Sequence, residues 1–195
     1  MKKILLLVGH PDAESFNFAL ADAYERGAAA AGGAEIRRIN IRDLEFNPNL
    51  QFGYRKRTEL EPDLLAAWDD ILWADHLVWV YPVWWGSVPA IMKGFIDRLF
   101  LPGMAFRKHE GSKVKWDKLL KGRTARLIST LDQPGWFYRM YYSRPSYHAM
   151  KGLVLEFTGV SKVRSATYGP IRLSTDAERA GWLAKAEALG RKEGA

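Results

Sequence analysis

Three short stretches of this sequence combine residue types that can hold a planar, anionic ligand. The first runs over residues 9–17 and contains His10, Ser15, Phe16 and Asn17. A turn between a strand and a helix leaves backbone N–H groups free at the helix start, where the helix dipole also favours negative charge. Ser15 can cap such a helix and offer its hydroxyl, Phe16 and Asn17 offer N–H groups, and His10 can hydrogen-bond a phosphate oxygen. An ordinary strand–helix turn capped by Ser15 is an equally simple reading. No Gly-x-Gly-x-x-Gly is present, so the dinucleotide turn of nicotinamide-binding folds is absent.

The second stretch is Pro82, Val83, Trp84, Trp85 and Gly86. Pro82 keeps the chain extended, and Gly86 lets a flat ligand approach the backbone closely. Backbone N–H groups there can donate to ring carbonyls, and an indole can wall the ring. Two tryptophans capping a core is the competing reading. The third stretch covers residues 129–135 and runs into the aromatic segment 136–142. Thr130 can hold the other ring edge, and the aromatics, with Tyr147 and His148, can form a substrate wall. A packed surface excursion is the alternative.

These stretches have to be positioned by something, and the hydrophobic pattern supplies it. Short apolar runs predict strands over 3–8, 35–41, 76–81, 123–130 and 162–168. Helical spacing predicts helices over 17–31, 62–73, 89–101 and 176–192, with Pro62 and Pro89 at helix starts. Residues 43–57 read as a polar loop, and 136–159 as aromatic-rich and partly helical. Strands alternating with helices predict an α/β doubly wound parallel sheet of five strands, a flavodoxin-like three-layer sandwich spanning 1–195 as one domain. In such sheets ligands bind at the carboxyl ends of the strands, which selects the three stretches above.

Composition narrows the classes further. The 195 residues are 48% hydrophobic, enough for a sizeable core. With no cysteine, disulfides and thiolate metal sites are excluded, and the four histidines lack helical metal spacing, so no metal is expected. No apolar run reaches membrane-helix length and no signal peptide is evident, so a cytoplasmic protein without membrane insertion is expected. The formal net charge is +7, with eight Lys/Arg between Arg107 and Arg126. That run reads as a solvated basic face or as a phosphate-attracting rim, and a nucleic-acid module has no motif behind it. Trp68, Trp73 and Trp79 fall in apolar periodic stretches and are expected in the core.

With these stretches in hand, the sequence resembles the NAD(P)H quinone oxidoreductase family of flavodoxin-like proteins, including the animal quinone reductases and bacterial relatives. The resemblance is carried by His10 with Ser15 to Ala19, and by the run 82–98 continued at 102–106. It implies a flavin, with phosphate at His10, Ser15, Phe16 and Asn17 and ring at Pro82, Val83, Trp84, Trp85, Gly86 and Thr130. Where animal members carry a glycine pair after the threonine, this chain has Leu131 and Asp132. It further implies ping-pong transfer of two electrons from NAD(P)H through FAD, with FMN as the alternative, to a quinone or similar flat acceptor. Tyr147 and His148 are the catalytic candidates by chemistry. The basic run tilts the donor toward NADPH. A homodimer follows from the resemblance, with the segment 136–142 and the helix from Pro89 as its surfaces. An azo- or nitro-reductase with the same site, or an accessory subunit of a potassium efflux system, are the other readings.

Overall fold

The computed structural model describes residues 1–195. Five parallel strands, β1 (Lys2–Val8), β2 (Ala34–Asn40), β3 (His76–Pro82), β6 (Thr124–Thr130) and β7 (Ser161–Tyr168), form one sheet in the order β2-β1-β3-β6-β7. Strand β3 is buried along its whole length and β1 over Ile4 to Val8. Both lie inside the sheet with helices on either face, which is why their sequences are unbroken apolar runs. Edge strand β2 instead mixes exposed and half-buried residues. All five expected strands are present, with ends shifted by one residue at most.

On one face lie α1 (Phe16–Ala30) and α6 (Asp176–Gly194). They approach so closely that a Cβ on Gly27 would lie 1.9 Å from the Glu187 carbonyl oxygen, and one on Gly190 would lie 1.9 Å from that of Tyr24. Only glycine permits the crossing at these two positions. Helix α6 opens with a capping box between Thr175 and Glu178, the arrangement that best satisfies a helix's first N–H groups. On the other face lie α2 (Pro62–Trp73), α3 (Ala90–Leu99) and a π-helical stretch, Ala149–Glu156. This face carries 26 buried apolar residues against 13 on the first, because aromatics such as Trp79, Phe95 and Phe100 fill it where alanines serve α1. No helix is long and apolar enough to cross a membrane.

Several expectations need correction. Trp68 and Trp79 are core residues, but Trp73 is half-buried at the end of α2, with the Arg37 guanidinium 4.1 Å from its ring centroid. Trp73 packs against the larger core with one side of its indole and is covered by a cation on the other, which is why it is only half-buried. The basic run contains an antiparallel hairpin, β4 (Phe106–Lys108) with β5 (Trp116–Lys118). The aromatic segment forms two short helices, α4 (Gly135–Met140) and α5 (Pro145–His148). Between them Ser143 and Arg144 both take left-handed backbone, at φ 55° and 51°.

Candidate functional site

The carboxyl ends of β1, β3 and β6 lie side by side, and the loops leaving them enclose one crevice. Ser15 is the N-cap of α1, its hydroxyl accepting from the Asn17 N–H at 3.3 Å. Phe16 at the first helical position has no preceding turn to accept its N–H. The Asn17 carboxamide is buried and donates through Nδ2 to Ser15 Oγ (3.0 Å) and to Thr130 Oγ1 (3.1 Å). At Gly9 a Cβ would lie 2.4 Å from Met92 Sδ, so α3 can pack against the turn only because the residue is glycine.

His10 stands at the same turn. Its Nδ1 lies 3.0 Å from the Asp12 N–H, which donates to it when that nitrogen is unprotonated. The same Nδ1 lies 3.1 Å from the Asp12 carbonyl, the partner of the tautomer that carries its proton there. Burial lowers the His10 pKa, outweighing the opposing pull of Asp12, so the imidazole is neutral at pH 7. Its ring sits edge-on to Trp84, centroids 5.3 Å apart, which links the first loop to the second.

The second loop begins where the Val83 N–H donates to the Thr130 carbonyl at 2.7 Å, one step beyond the last paired residues of β3 and β6. Trp84 and Ser87 then exchange two backbone hydrogen bonds, of 3.0 and 2.8 Å. Between them Trp85 and Gly86 both have positive φ, 50° and 74°, the geometry of a type I′ turn. A tryptophan in left-handed backbone costs energy, roughly 1–3 kcal/mol for such residues. Here it holds a fully exposed indole at the cavity's lip.

Two contiguous cavities fill the crevice. The smaller, about 200 Å³, is lined by His10, Ser15, Phe16, Asn17, Pro82, Val83, Trp84 and Thr130, among others. The larger, about 570 Å³, is lined by Val83, Trp85, Gly86, Gln133, Tyr138, Tyr142 and Pro145, and both share Val83, Leu131 and Asp132. All ten residues expected to hold a cofactor therefore line one crevice. Tyr147 and His148 do not line it. Tyr147 is half-buried against the larger core, with the Arg144 guanidinium 4.5 Å from its ring centroid, and His148 is exposed beside it.

The tyrosine that does reach the cavity from a buried position is Tyr138. Its hydroxyl accepts the Ser146 N–H at 3.2 Å, which leaves its own proton free to donate elsewhere. Burial raises its pKa, so it stays protonated at neutral pH. Ser146 Oγ donates in turn to Tyr81 at 3.5 Å, a long contact that backs the wall. Tyr138 falls within the aromatic segment 136–142, where its residue type alone does not single it out. Asp132 and Ile171 were not expected as lining residues, although the position of Asp132 directly after Thr130 and Leu131 was a usable signal.

The arrangement combines an anion-friendly helix start, a flat apolar slot and backbone groups at its edge. Residues 2–190 match a family model described as flavodoxin-like fold. The chain is 27% identical over 180 residues to an uncharacterized NAD(P)H oxidoreductase of Haemophilus influenzae, covering 90% of this chain and 87% of that one. It is 30% identical over 155 residues to FMN-dependent NADH:quinone oxidoreductase 1 of Lactococcus lactis, covering 71% and 70% respectively. Among solved structures, Smu.1420 from Streptococcus mutans superposes with a TM-score of 0.84 at 29% identity, over 97% of this chain and 99% of that one. The NAD(P)H:quinone oxidoreductase from Methanothermobacter marburgensis, at 24% identity, shares the fold with a TM-score of 0.84 over 98% of both chains. The chain is a member of the flavodoxin-like fold family and, within it, of the NAD(P)H oxidoreductases.

Proposed function

We propose that the protein is a flavin-dependent NAD(P)H:quinone oxidoreductase. The single observation that carries this reading is the crevice of two adjoining cavities, a helix N-terminus lining the smaller and a type I′ turn the larger. The residues fit a flavin. Ser15, Phe16 and Asn17 with the neutral His10 suit a phosphate, and the walls from Pro82 to Gly86 with Thr130 suit a flat ring.

Bound there, a flavin supplies two-electron transfer from a reduced nicotinamide to an acceptor, the two occupying the same face in turn. The chain's own part is orientation and proton supply. Trp85, Tyr142 and Pro145 wall the larger cavity and would orient a flat ring there. The protonated Tyr138 hydroxyl can donate to an acceptor oxygen as it gains charge, a role for which Tyr138, unlike Tyr147 and His148, lines the cavity. The acceptor is a quinone or a similar flat molecule. An azo compound would use the same walls.

FMN is the smallest flavin this lining serves, and the Lactococcus lactis relative is FMN-dependent by name. FAD, toward which the motif resemblance leans, needs a further surface for adenosine. NADPH is the favoured donor because of the basic run around β4 and β5. The protein acts in the cytoplasm as a homodimer, with Trp136, Met140 and Tyr141 on α4 exposed at 65%, 77% and 72% and available for a partner. The deciding experiment is the visible spectrum of the purified protein, with mass identification of the released flavin. A colourless protein that takes up neither FMN nor FAD overturns the proposal.

A further inference from the structure

We infer that Asp132 sets the charge preference of the crevice, disfavouring anionic acceptors against neutral or cationic ones. The inference rests on the flavoprotein reading above. Asp132 lines both cavities, and no other carboxylate lines either. Its Oδ1 accepts the Arg172 N–H at 2.9 Å, which ties the carboxylate to the loop after β7. It forms no ion pair with any Lys, Arg or His. In a chain with formal net charge +7, an unpaired, exposed negative charge where the two cavities meet is set against the overall field.

The larger cavity gives that charge reach. Val83, Trp85, Leu131, Tyr138 and Tyr142 are apolar or aromatic, and none of them is charged. His10, the one histidine among the lining residues, sits in the smaller cavity, where burial lowers its pKa. A ligand carrying a unit negative charge about 6 Å from Asp132, at an effective dielectric near 40, would bind roughly tenfold more weakly than its neutral counterpart. The effect should fade with added salt, since the screening length falls from about 8 Å at 0.15 M toward about 3 Å at 1 M.

The test uses the flavin-loaded oxidised protein without nicotinamide, so that binding is read without turnover. A neutral methylnaphthoquinone and a naphthoquinone sulfonate of the same ring size are titrated separately, following quenching of tryptophan fluorescence. Asp132→Asn keeps an oxygen for the Arg172 N–H and removes only the charge. We expect the ratio of the two dissociation constants to shift roughly tenfold toward the sulfonate in this variant at low salt. At about 0.5 M salt the shift should shrink, and Asp132→Glu should restore the wild-type preference. An unchanged ratio in Asp132→Asn, or a shift indifferent to salt, overturns the role of Asp132 while leaving a flavin-loaded wild type intact. A wild type that holds no flavin overturns both this inference and the flavoprotein reading.

Discussion

Asn17 Nδ2 donates to Thr130 Oγ1 over 3.1 Å, and through two buried side chains this bond joins the turn after β1 to the end of β6. Strand β3 lies between those strands, so the contact bridges across the end of β3 at Pro82, which pairs with Thr130. The Asn17 carboxamide thus helps fix the phosphate-type turn relative to the ring site, alongside the His10–Trp84 contact. Asn17→Ala leaves Thr130 Oγ1 without its donor in a buried place, which costs about 1–3 kcal/mol. We expect a lower melting temperature in the flavin-free protein and a flavin dissociation constant raised about tenfold, read by calorimetry and by flavin fluorescence. A variant that melts lower but binds flavin as the wild type does would show that the bridge serves the fold alone.

Gly86 occupies the second position of the type I′ turn at φ 74°, and a Cβ there would lie 3.2 Å from Pro145 Cγ. A β-branched residue meets both the left-handed strain and that contact. Gly86→Val should therefore weaken flavin retention at least tenfold. Trp73→Phe, at the opposite end of the sheet under Arg37, should change it less than twofold. Parallel equilibrium dialysis of the two variants checks this, and equal retention would refute the assignment of the ring loop.

How much of this was readable from residues alone follows from the physics of each element. Strands β1, β3 and β6 are legible because burial on both faces leaves unbroken apolar runs, and the rule that ligands bind at strand carboxyl ends then selects the right loops. The hairpin β4–β5 escapes because each strand has three residues and only Phe106 is buried, too little for an alternation to register. The wall residues were harder. Ser143 and Arg144 reverse the chain in left-handed backbone without a glycine to mark it. That reversal leaves Tyr138 and Tyr142 lining the cavity, with Tyr147 outside it under Arg144. Residue type alone cannot distinguish those tyrosines.

At the amino ends of the strands, far from the crevice, Glu193 near the chain terminus is buried among Arg126, Tyr24 and His76. Arg126 Nε donates to its Oε1 at 3.1 Å, Tyr24 donates to Oε2 at 2.9 Å, and His76 Nε2 lies 3.3 Å from Oε2. Burial pushes the carboxyl pKa up, but the hydrogen bonds from His76 and Arg126 outweigh it and hold it at about 2, against 4.5 unperturbed. Because the folded value is the lower one, this contribution is fully present above about pH 4.5 and is lost as pH falls through about 2; the shift corresponds to about 3 kcal/mol. Glu193→Gln also strands the Arg126 guanidinium in the interior. We expect the variant to be about 3 kcal/mol less stable at pH 7 by urea unfolding, with the gap from wild type narrowing between pH 4.5 and 2. A gap constant across that range would mean that Glu193 contributes shape and not charge.

The tyrosines of the site differ in what each can reach. Tyr138 is 5% exposed, lines the larger cavity, and has its oxygen occupied by the Ser146 N–H, so its proton has no acceptor of its own within the protein. Burial keeps that proton in place at neutral pH. A donor so placed stabilises negative charge on an acceptor oxygen more than it stabilises the ground state, and its removal should lower kcat more than it alters KM. Tyr138→Phe should therefore reduce steady-state quinone turnover about 10²-fold, the lower range for general acid catalysis, while flavin content stays at the wild-type level. Tyr147→Phe and His148→Gln remove groups that line neither cavity and should each cost less than about threefold. Replacing the quinone with a one-electron acceptor that needs no proton gives the control: Tyr138→Phe should then lose most of its deficit. If Tyr147→Phe or His148→Gln instead proves the more damaging change with quinone, the proton reaches the acceptor from α5, and the crevice must rearrange on binding to bring that helix to it.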